Sequence, residues 1–406
     1  MDWVREIWSF ATCGELIFGR NSIQRVAKVI EKLGGKNILV LTDPMIRDAG
    51  LLKLIEKPLG DLSISFAVYD QGMVEPTIEK VLECAEFAKK GIYDVIVCFG
   101  GGSIIDLGKA TAVLMTHGRH PHDYFGEGKV PGPVKPILAV PTTAGTGSEV
   151  SPAAILTDVK ANLKKGISDN HLRPRAVIVD PLLTLSCPPN VTAATGIDVL
   201  AHAIESYLAI HFAYLPLSPG EENTVLYHGS YPLTECLAGK AIELVSQNLR
   251  LAVDQGKNLE ARTNMAMANI MAGMAFSNSG VTAVHAMAYP LGASSHAPHG
   301  VVNGLLLPHV MEFNLPVRIK ELAAVAKALG ENVDGLSLRE AAFKSIPAVS
   351  ALIRDIGLPT RMRDIGVKEK DIRPMAEATM QVTRLLRSNP RRVSVESLEE
   401  IYKRAF

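Results

Sequence analysis

An aspartate and three histidines between residues 198 and 299 of this 406-residue chain have the chemistry of one divalent-metal site. Asp198 and His202 stand four residues apart in TGIDVLAHAIES. That segment reads as a helix, so both side chains project from one face, one turn apart. His285 lies in AVHAMAYPLG and His299 in SSHAPHG, fourteen residues further on. One carboxylate with three neutral imidazoles suits Zn2+, Fe2+ or Mn2+ and leaves room for a substrate oxygen. A single buried histidine on a helix is more often structural than a ligand. Four residues in one pattern favour the ligand reading.

The first half offers a second kind of chemistry. Gly100, Gly101, Gly102 and Ser103 follow an apolar run and open a helix beginning Ile104-Ile105-Asp106. Glycines let a backbone come close, and a helix N-terminus presents free N–H groups, which suits a pyrophosphate. The spacing departs from the G-x-G-x-x-G fingerprint, and a tight strand-to-helix turn also explains the run. PTTAGTGSE (141–149) is another loop of small and hydroxyl residues. Thr142, Thr143, Thr146 and Ser148 have hydroxyls to offer phosphate or ribose oxygens; the alternative is a helix cap completed by Glu149. Asp43 closes the run 37–43. A carboxylate there accepts from ribose hydroxyls and repels a 2′-phosphate, favouring NAD over NADP, while Thr-Asp-Pro is equally a good helix start. A metal together with a dinucleotide suggests metal-polarised hydride transfer.

The elements that must position these groups divide into two halves. NILVLTD (37–43), SISFAVYD (63–70), DVIVCFGGGS (94–103), PILAVPTT (136–143) and AVIVDP (176–181) are short apolar runs ending at turn residues. Amphipathic stretches such as SIQRVAKVIEKLG and TIEKVLECAEFAKKG lie between them, with helical spacing. Strands alternating with helices predict an α/β domain with a mainly parallel sheet covered on both faces. Past SCPPN the strand signals stop, and the remaining long periodic segments read as helices. We therefore expect an α/β domain over 1–185 and an all-helical domain over 186–406, with Pro188-Pro189 beside the boundary. The segment 211–235 mixes Pro, Gly and aromatics without period and reads as a long loop.

Composition excludes several classes. Apolar residues are 47% and charged residues 21%, as in ordinary globular proteins. Lys+Arg and Asp+Glu balance at 42 each, which gives no electrostatic case for nucleic acid or an anionic membrane as partner. The apolar runs are strand-length, too short for a membrane span. The start, MDWVREIWSF, lacks the pattern of a secretory signal. Cys13, Cys84, Cys98, Cys187 and Cys236 are scattered, which fits unpaired thiols and a cytoplasmic location.

FGGGSIIDLGKA, AVPTTAGTGSEVSPAAILTD, AVIVDPLLTLSCP, TGIDVLAHAIESY, MAFSNSGVTAVHAMAYPLG and PHGVVNGLLLPHVMEFN occur in this order. Together they resemble the iron-containing (group III) alcohol dehydrogenases, from FATCGELIFG to EEIYKRAF. The resemblance implies a dehydroquinate synthase-like architecture: an N-terminal dinucleotide-binding domain, a helical metal-binding domain, and an active site between them. It implies Asp198, His202, His285 and His299 as metal ligands. It places Gly100, Gly101, Gly102 and Ser103 at the pyrophosphate, Thr142, Thr143 and Thr146 in the second cofactor loop, Lys165 near the cofactor ribose and Asp43 as the mark of NAD preference. Asp106 and Lys109 match the family's GGGSxxDxxK pattern, Asp106 as a catalytic candidate.

Two features depart from the family pattern. The motif H-x-M-A-H-P-L-G usually carries a second histidine, often assigned as a proton carrier, where this chain has Tyr289. Tyrosine can relay a proton, but its reference pKa is about 10 rather than about 6.5. The 211–235 segment also looks longer than the usual connection; it could border the cleft, serve a subunit contact or be inert. The expected protein is an NAD-dependent oxidoreductase of small alcohols or aldehydes, holding Fe2+ first and Zn2+ second, and forming a homodimer or larger homo-oligomer. The alternatives are a specialised relative acting on a hydroxy acid, keto acid or phosphorylated polyol, a lyase resembling dehydroquinate synthase, and a non-catalytic scaffold. A carboxylate or phosphate substrate would call for a Lys or Arg in the cleft, and the sequence by itself places none there.

Overall fold

The computed structural model describes residues 5–61, 63–160, 163–218, 220–221 and 224–406. Its strands are β1 (Glu15–Phe18), β2 (Asn37–Leu41), β3 (Ser65–Tyr69), β4 (Val95–Gly100), β5 (Gly126–Glu127), β6 (Ile137–Pro141), β7 (Ala153–Asp158), β8 (Leu163–Ser168) and β9 (Ala176–Val179). Six of them form a parallel sheet in the order β1-β9-β6-β4-β2-β3. Side chains alternate between its two cores. Val40, Val97 and Phe99 pack on one face, and Leu39, Leu41, Ile96 and Cys98 on the other. This is why β4 and β6 are apolar at every position: both faces are covered.

The helices of this half are α1 (Val26–Lys32), α2 (Pro44–Asp48), α3 (Lys53–Asp61), α4 (Ile78–Ala88) and α5 (Gly102–His117). The chain runs outward from β2 to β3, then returns to place β4 on the other side of β2. A crevice opens at such a reversal, outside the carboxyl ends of the strands. Asp43 follows β2 and Gly101 follows β4, so both candidate cofactor residues lie at its lip.

Five sequence runs become strands of the sheet, trimmed at their ends. β1 and a three-stranded sheet, β5-β8-β7, were not among them. The β7–β8 hairpin is half polar: AAILTD alternates in burial and LKKGIS carries two lysines and a glycine. Its apolar signal is diluted accordingly.

The second half contains α6 (Pro189–Leu208), α7 (Pro232–Asp254), α8 (Leu259–Ser279), α9 (Ala283–Ser295), α10 (His299–Asn314), α11 (Ile319–Ala328), α12 (Leu338–Asp355), α13 (Ile372–Thr379), α14 (Thr383–Leu386) and α15 (Val395–Ala405). α6 lies near the centre, buried along most of its length, and Pro189 sits in its first turn, where no N–H is missed. α9, α10 and α12 each contain an internal proline (Pro290, Pro308, Pro347), which interrupts the periodic pattern that marks a helix. One large core fills this half. α8 also reaches across: Ala266 and Ile270 belong to the core under α4 and α5.

The 211–235 segment is a loop only in part. A short 3-10 turn spans Phe212–Tyr214, and α7 already begins at Pro232. Residues 219 and 222–223 lie outside the described residues.

Candidate active site

A cavity opens between the sheet's carboxyl edge and the helical half. Gly102, Ser103, Asp106 and Thr146 line one wall; Asp198, His202, His285 and His299 line the other. Helix geometry explains the second wall. Asp198 and His202 are one turn apart on α6, His285 is in the first turn of α9, and His299 opens α10.

Ligand atoms of Asp198, His202 and His285 lie within 4.8 Å of one another, and all three residues are buried. His285 Nε2 is 3.8 Å from Asp198 Oδ1. The His299 ring is 5.3 Å from that of His285. Asn303, one turn beyond His299, marks the focus. Its Nδ2 is 2.7 Å from Asp198 Oδ1, 3.0 Å from His285 Nε2 and 3.1 Å from His299 Nε2. An amide nitrogen has two protons for these three acceptors, so the donor set exceeds what Asn303 can satisfy. His202 Nδ1 is buried and has no hydrogen-bond partner among the described residues. Burial pushes His202 down to about 4 and His299 to about 3, so both imidazoles are neutral donors at pH 7. Burial opposes charge on Asp198 as well, but the surrounding histidines hold its carboxyl below the ordinary range. One anion and neutral imidazoles around a shared point fit a divalent metal.

Glu205 supports this set, and sequence reasoning missed it. It lies three residues after His202 on α6, and His285 Nδ1 donates to its Oε2. Its Oε1 accepts from Thr282 N at 2.8 Å, Thr282 Oγ1 at 2.7 Å and Val284 N at 2.9 Å. The carboxylate thus caps the start of α9 and fixes the orientation of the His285 ring, leaving Nε2 free to coordinate. Burial works against a charged His285, yet Glu205 raises its pKa above the ordinary value. A carboxylate one turn from a candidate ligand on a buried helix face was the available signal.

The nucleotide side is built from two facing loops. A Cβ on Gly102 would sit 2.2 Å from Thr146 Oγ1, and one on Gly101 3.4 Å from Thr143 Oγ1. No side chain caps the N-terminus of α5, which leaves its first amides to a ligand. This cradle fits a pyrophosphate. Thr142 is buried and its N–H donates to Gly100 O at 3.0 Å, so it ties the loops together. Asp43 Oδ1 accepts from Ile46 N at 3.0 Å, forming the helix cap. Its second oxygen has no partner among the described residues.

Lys165 is not brought into this cleft. Its Nζ pairs with Asp158 at 2.9 Å and lies over the Phe125 ring. Neighbours on a strand face opposite ways, and on β8 it is Lys164 that lines the cavity, bonded to Glu75 at 2.6 Å. Asp106 lines the cavity, but its oxygens accept from Ser148 Oγ at 2.5 Å and Ile155 N at 3.0 Å. Lys109 is fully buried, and its Nζ bonds Ser148 O, Ser151 O and Ala153 O at 2.6–2.9 Å. These two residues knit α5 to the loop before β7. Tyr289 lines the cavity with its ring 6.5 Å from His299, and burial raises its pKa. Tyr227 and Arg384 reach the cavity too, from segments that carried no motif.

Two family models match the chain: iron-containing alcohol dehydrogenase over residues 13–181, and the C-terminal part of the Fe-containing alcohol dehydrogenase family over 224–406. This chain belongs to the iron-containing alcohol dehydrogenase family. Among similar proteins, 1,3-propanediol dehydrogenase of Citrobacter freundii is 40% identical over 392 residues, 96% of each chain. The NAD-dependent methanol dehydrogenase of Bacillus methanolicus is 34% identical over 390 residues, 96% of this chain and 97% of its own. The crystal structure of a 1,3-propanediol oxidoreductase superposes with a TM-score of 0.92 at 37% identity, covering 99% of this chain and 100% of that one. The chain is therefore an oxidoreductase of the iron-containing alcohol dehydrogenase type, with the α/β and helical halves of that fold. Among the described residues no helix is long and apolar enough to cross a membrane.

Proposed function

We propose that this iron-containing alcohol dehydrogenase relative interconverts a small alcohol and its aldehyde or ketone with NAD(H), on a metal held by Asp198, His202, His285 and His299. One observation carries the reading: a buried donor set and a glycine–threonine cradle open into the same cavity. When bound, the metal would supply Lewis-acid polarisation of the substrate oxygen and NADH the hydride. Fe2+ is favoured by the family and Zn2+ by affinity.

The chain's own groups then have distinct tasks. The free amides of α5 and the hydroxyls of Thr143 and Thr146 hold the pyrophosphate, and Asp43 takes the ribose hydroxyls. Asp106 and Lys109 position the wall that carries Ser148. Phe276, stacked 4.2 Å from the His202 ring, keeps water from the donor set. Tyr289 is a neutral phenol at pH 7, and burial raises its pKa further. Its place in the cavity wall, with its ring 6.5 Å from that of His299, puts a phenol where it can donate a proton to the product oxygen in the reducing direction.

The division into 1–185 and 186–406 belongs to this proposal; it is supported by the last strand ending at Val179 and the first long helix starting at Pro189. So do a cytoplasmic location, supported by five unpaired cysteines, and homo-oligomeric assembly, which light scattering checks. The test is loss of NADH absorbance at 340 nm with a panel of short aldehydes, after loading with Fe2+ or Zn2+ and again with chelator. Metal-dependent oxidation of NADH is expected. Undiminished turnover in metal-free protein would sink the reading.

A further inference from the structure

The cleft contains a cation that hydride transfer does not use. Arg384, on α14, lines the cavity beside Tyr227 and Tyr289. Its guanidinium lies 5.2 Å over the Tyr227 ring. Among the described residues its nearest carboxylate is Glu127, 4.0 Å from Nε. Arg387 claims Glu127 more closely, at 3.4 Å. Arg387 also reaches Glu221, at 3.9 Å, so the two guanidiniums and two carboxylates balance in charge. Arg384, however, holds its acid only through Nε at the limit of pairing distance, and its fork has no paired carboxylate contact among the described residues. The other cation of the cleft, Lys164, is already neutralised by Glu75.

Arginine cannot shed its proton, and its planar fork needs acceptors. Tyr227 and Tyr289 line the cavity beside Arg384 and offer it neutral hydroxyls. Neither offers the paired oxygens that a guanidinium binds best. The side chain nonetheless retains 27% exposure where it borders the cavity. It lines the same cavity as Asp198, His202, His285 and His299. A short molecule can therefore reach both ends.

We propose that the substrate carries a carboxylate, which pairs with Arg384 while its carbonyl or hydroxyl group faces Asp198, His202, His285 and His299. The enzyme then interconverts a short oxo acid and the corresponding hydroxy acid. This rests on the hydride-transfer reading above. In the reducing direction a C–H bond of dihydronicotinamide breaks and a C–H bond forms at the carbonyl carbon. A proton, ultimately from solvent, completes the hydroxyl, and NAD+ leaves. The carboxylate is unchanged. A plain alkyl aldehyde offers the guanidinium no paired oxygens.

The test uses the full chain, loaded with metal. NADH oxidation is compared for two- to four-carbon oxo acids and the uncharged aldehydes of equal length, such as glyoxylate against acetaldehyde and 4-oxobutanoate against butanal. At least one oxo acid is expected to exceed its uncharged counterpart in kcat/KM by about tenfold or more, as for a charge-assisted bond. Arg384→Gln should raise KM for that oxo acid by roughly ten- to a hundredfold, with a smaller change in kcat. Arg384→Lys should recover part of the loss. Two results would overturn the carboxylate role and leave hydride transfer standing. One is equal or better use of the uncharged aldehydes by the unaltered enzyme. The other is an Arg384→Gln effect of the same size on both substrates of a pair. No oxidation of NADH with any compound, by protein shown to bind NADH and metal, overturns both readings.

Discussion

Glu205 touches neither the cofactor loops nor the point where the ligand atoms converge, yet it sets the direction of His285. Its two oxygens take the His285 Nδ1 proton and the amides at the start of α9. Glu205→Gln places an N–H2 where one of these donors points. Metal affinity should fall about 10- to 100-fold, read by competition with a chromophoric chelator while the far-ultraviolet spectrum stays unchanged. Unchanged affinity would remove Glu205 from the site. Asp43→Gly should raise kcat/KM with NADP relative to NAD, because the residue no longer repels a 2′-phosphate. A constant ratio would leave Asp43 as a helix cap alone. At this scale the candidate donors were legible because four residues, an aspartate and three histidines, coincide in type and spacing. Glu205, Asn303, Lys164 and Arg384 were not. Their roles depend on which helix or strand face turns inward, and that is decided by packing between segments far apart in sequence.

Two loops meet at the carboxyl edge of the sheet, and their fit depends on the absence of a side chain. In Gly102→Ala the new Cβ would sit 2.2 Å from Thr146 Oγ1, so one loop must move. NADH affinity should weaken by about tenfold or more, on the order of a buried clash of 1–3 kcal/mol. Metal content should be retained, since Asp198, His202, His285 and His299 lie on α6, α9 and α10 and none belongs to either loop. Tight NADH binding by this variant, followed by fluorescence titration, would place the pyrophosphate elsewhere. The runs that became β2, β4, β6 and β9 were readable as uninterrupted apolar segments between turn residues. The β7–β8 hairpin was not, because KKG in its second strand carries no apolar alternation. Internal prolines hid α9 and α10, the helices that deliver His285 and His299. There the motifs pointed to function before the periodicity pointed to structure.

Across the whole molecule the halves are joined through α8. Asn269 Nδ2 donates to Glu149 Oε1 at 2.5 Å, and Asn269 Oδ1 accepts from Gly147 N at 3.1 Å. Burial raises the Glu149 pKa from 4.5 to about 7. A folded-state pKa above the unfolded one means that folding takes up a proton between about pH 4.5 and pH 7. This contribution to stability is complete below the lower value and is lost as pH rises through the upper one. The wild-type curve minus that of Glu149→Gln should therefore slope downward across this window, by at most about 1.4 kcal/mol per pH unit. Urea unfolding at several pH values reads it, and parallel curves would show Glu149 charged in the folded state.

The crossing of α8 also bears on how the chain acquires its shape during synthesis. Ala266 and Ile270 complete a core otherwise built from residues 13–179. Gly147 and Gly273 come so close that a Cβ on Gly147 would lie 2.7 Å from Gly273 Cα. A ribosome must therefore deliver some ninety residues beyond the last strand before the first half can close its apolar face. Until then that face is open to chaperones or to a neighbouring nascent chain.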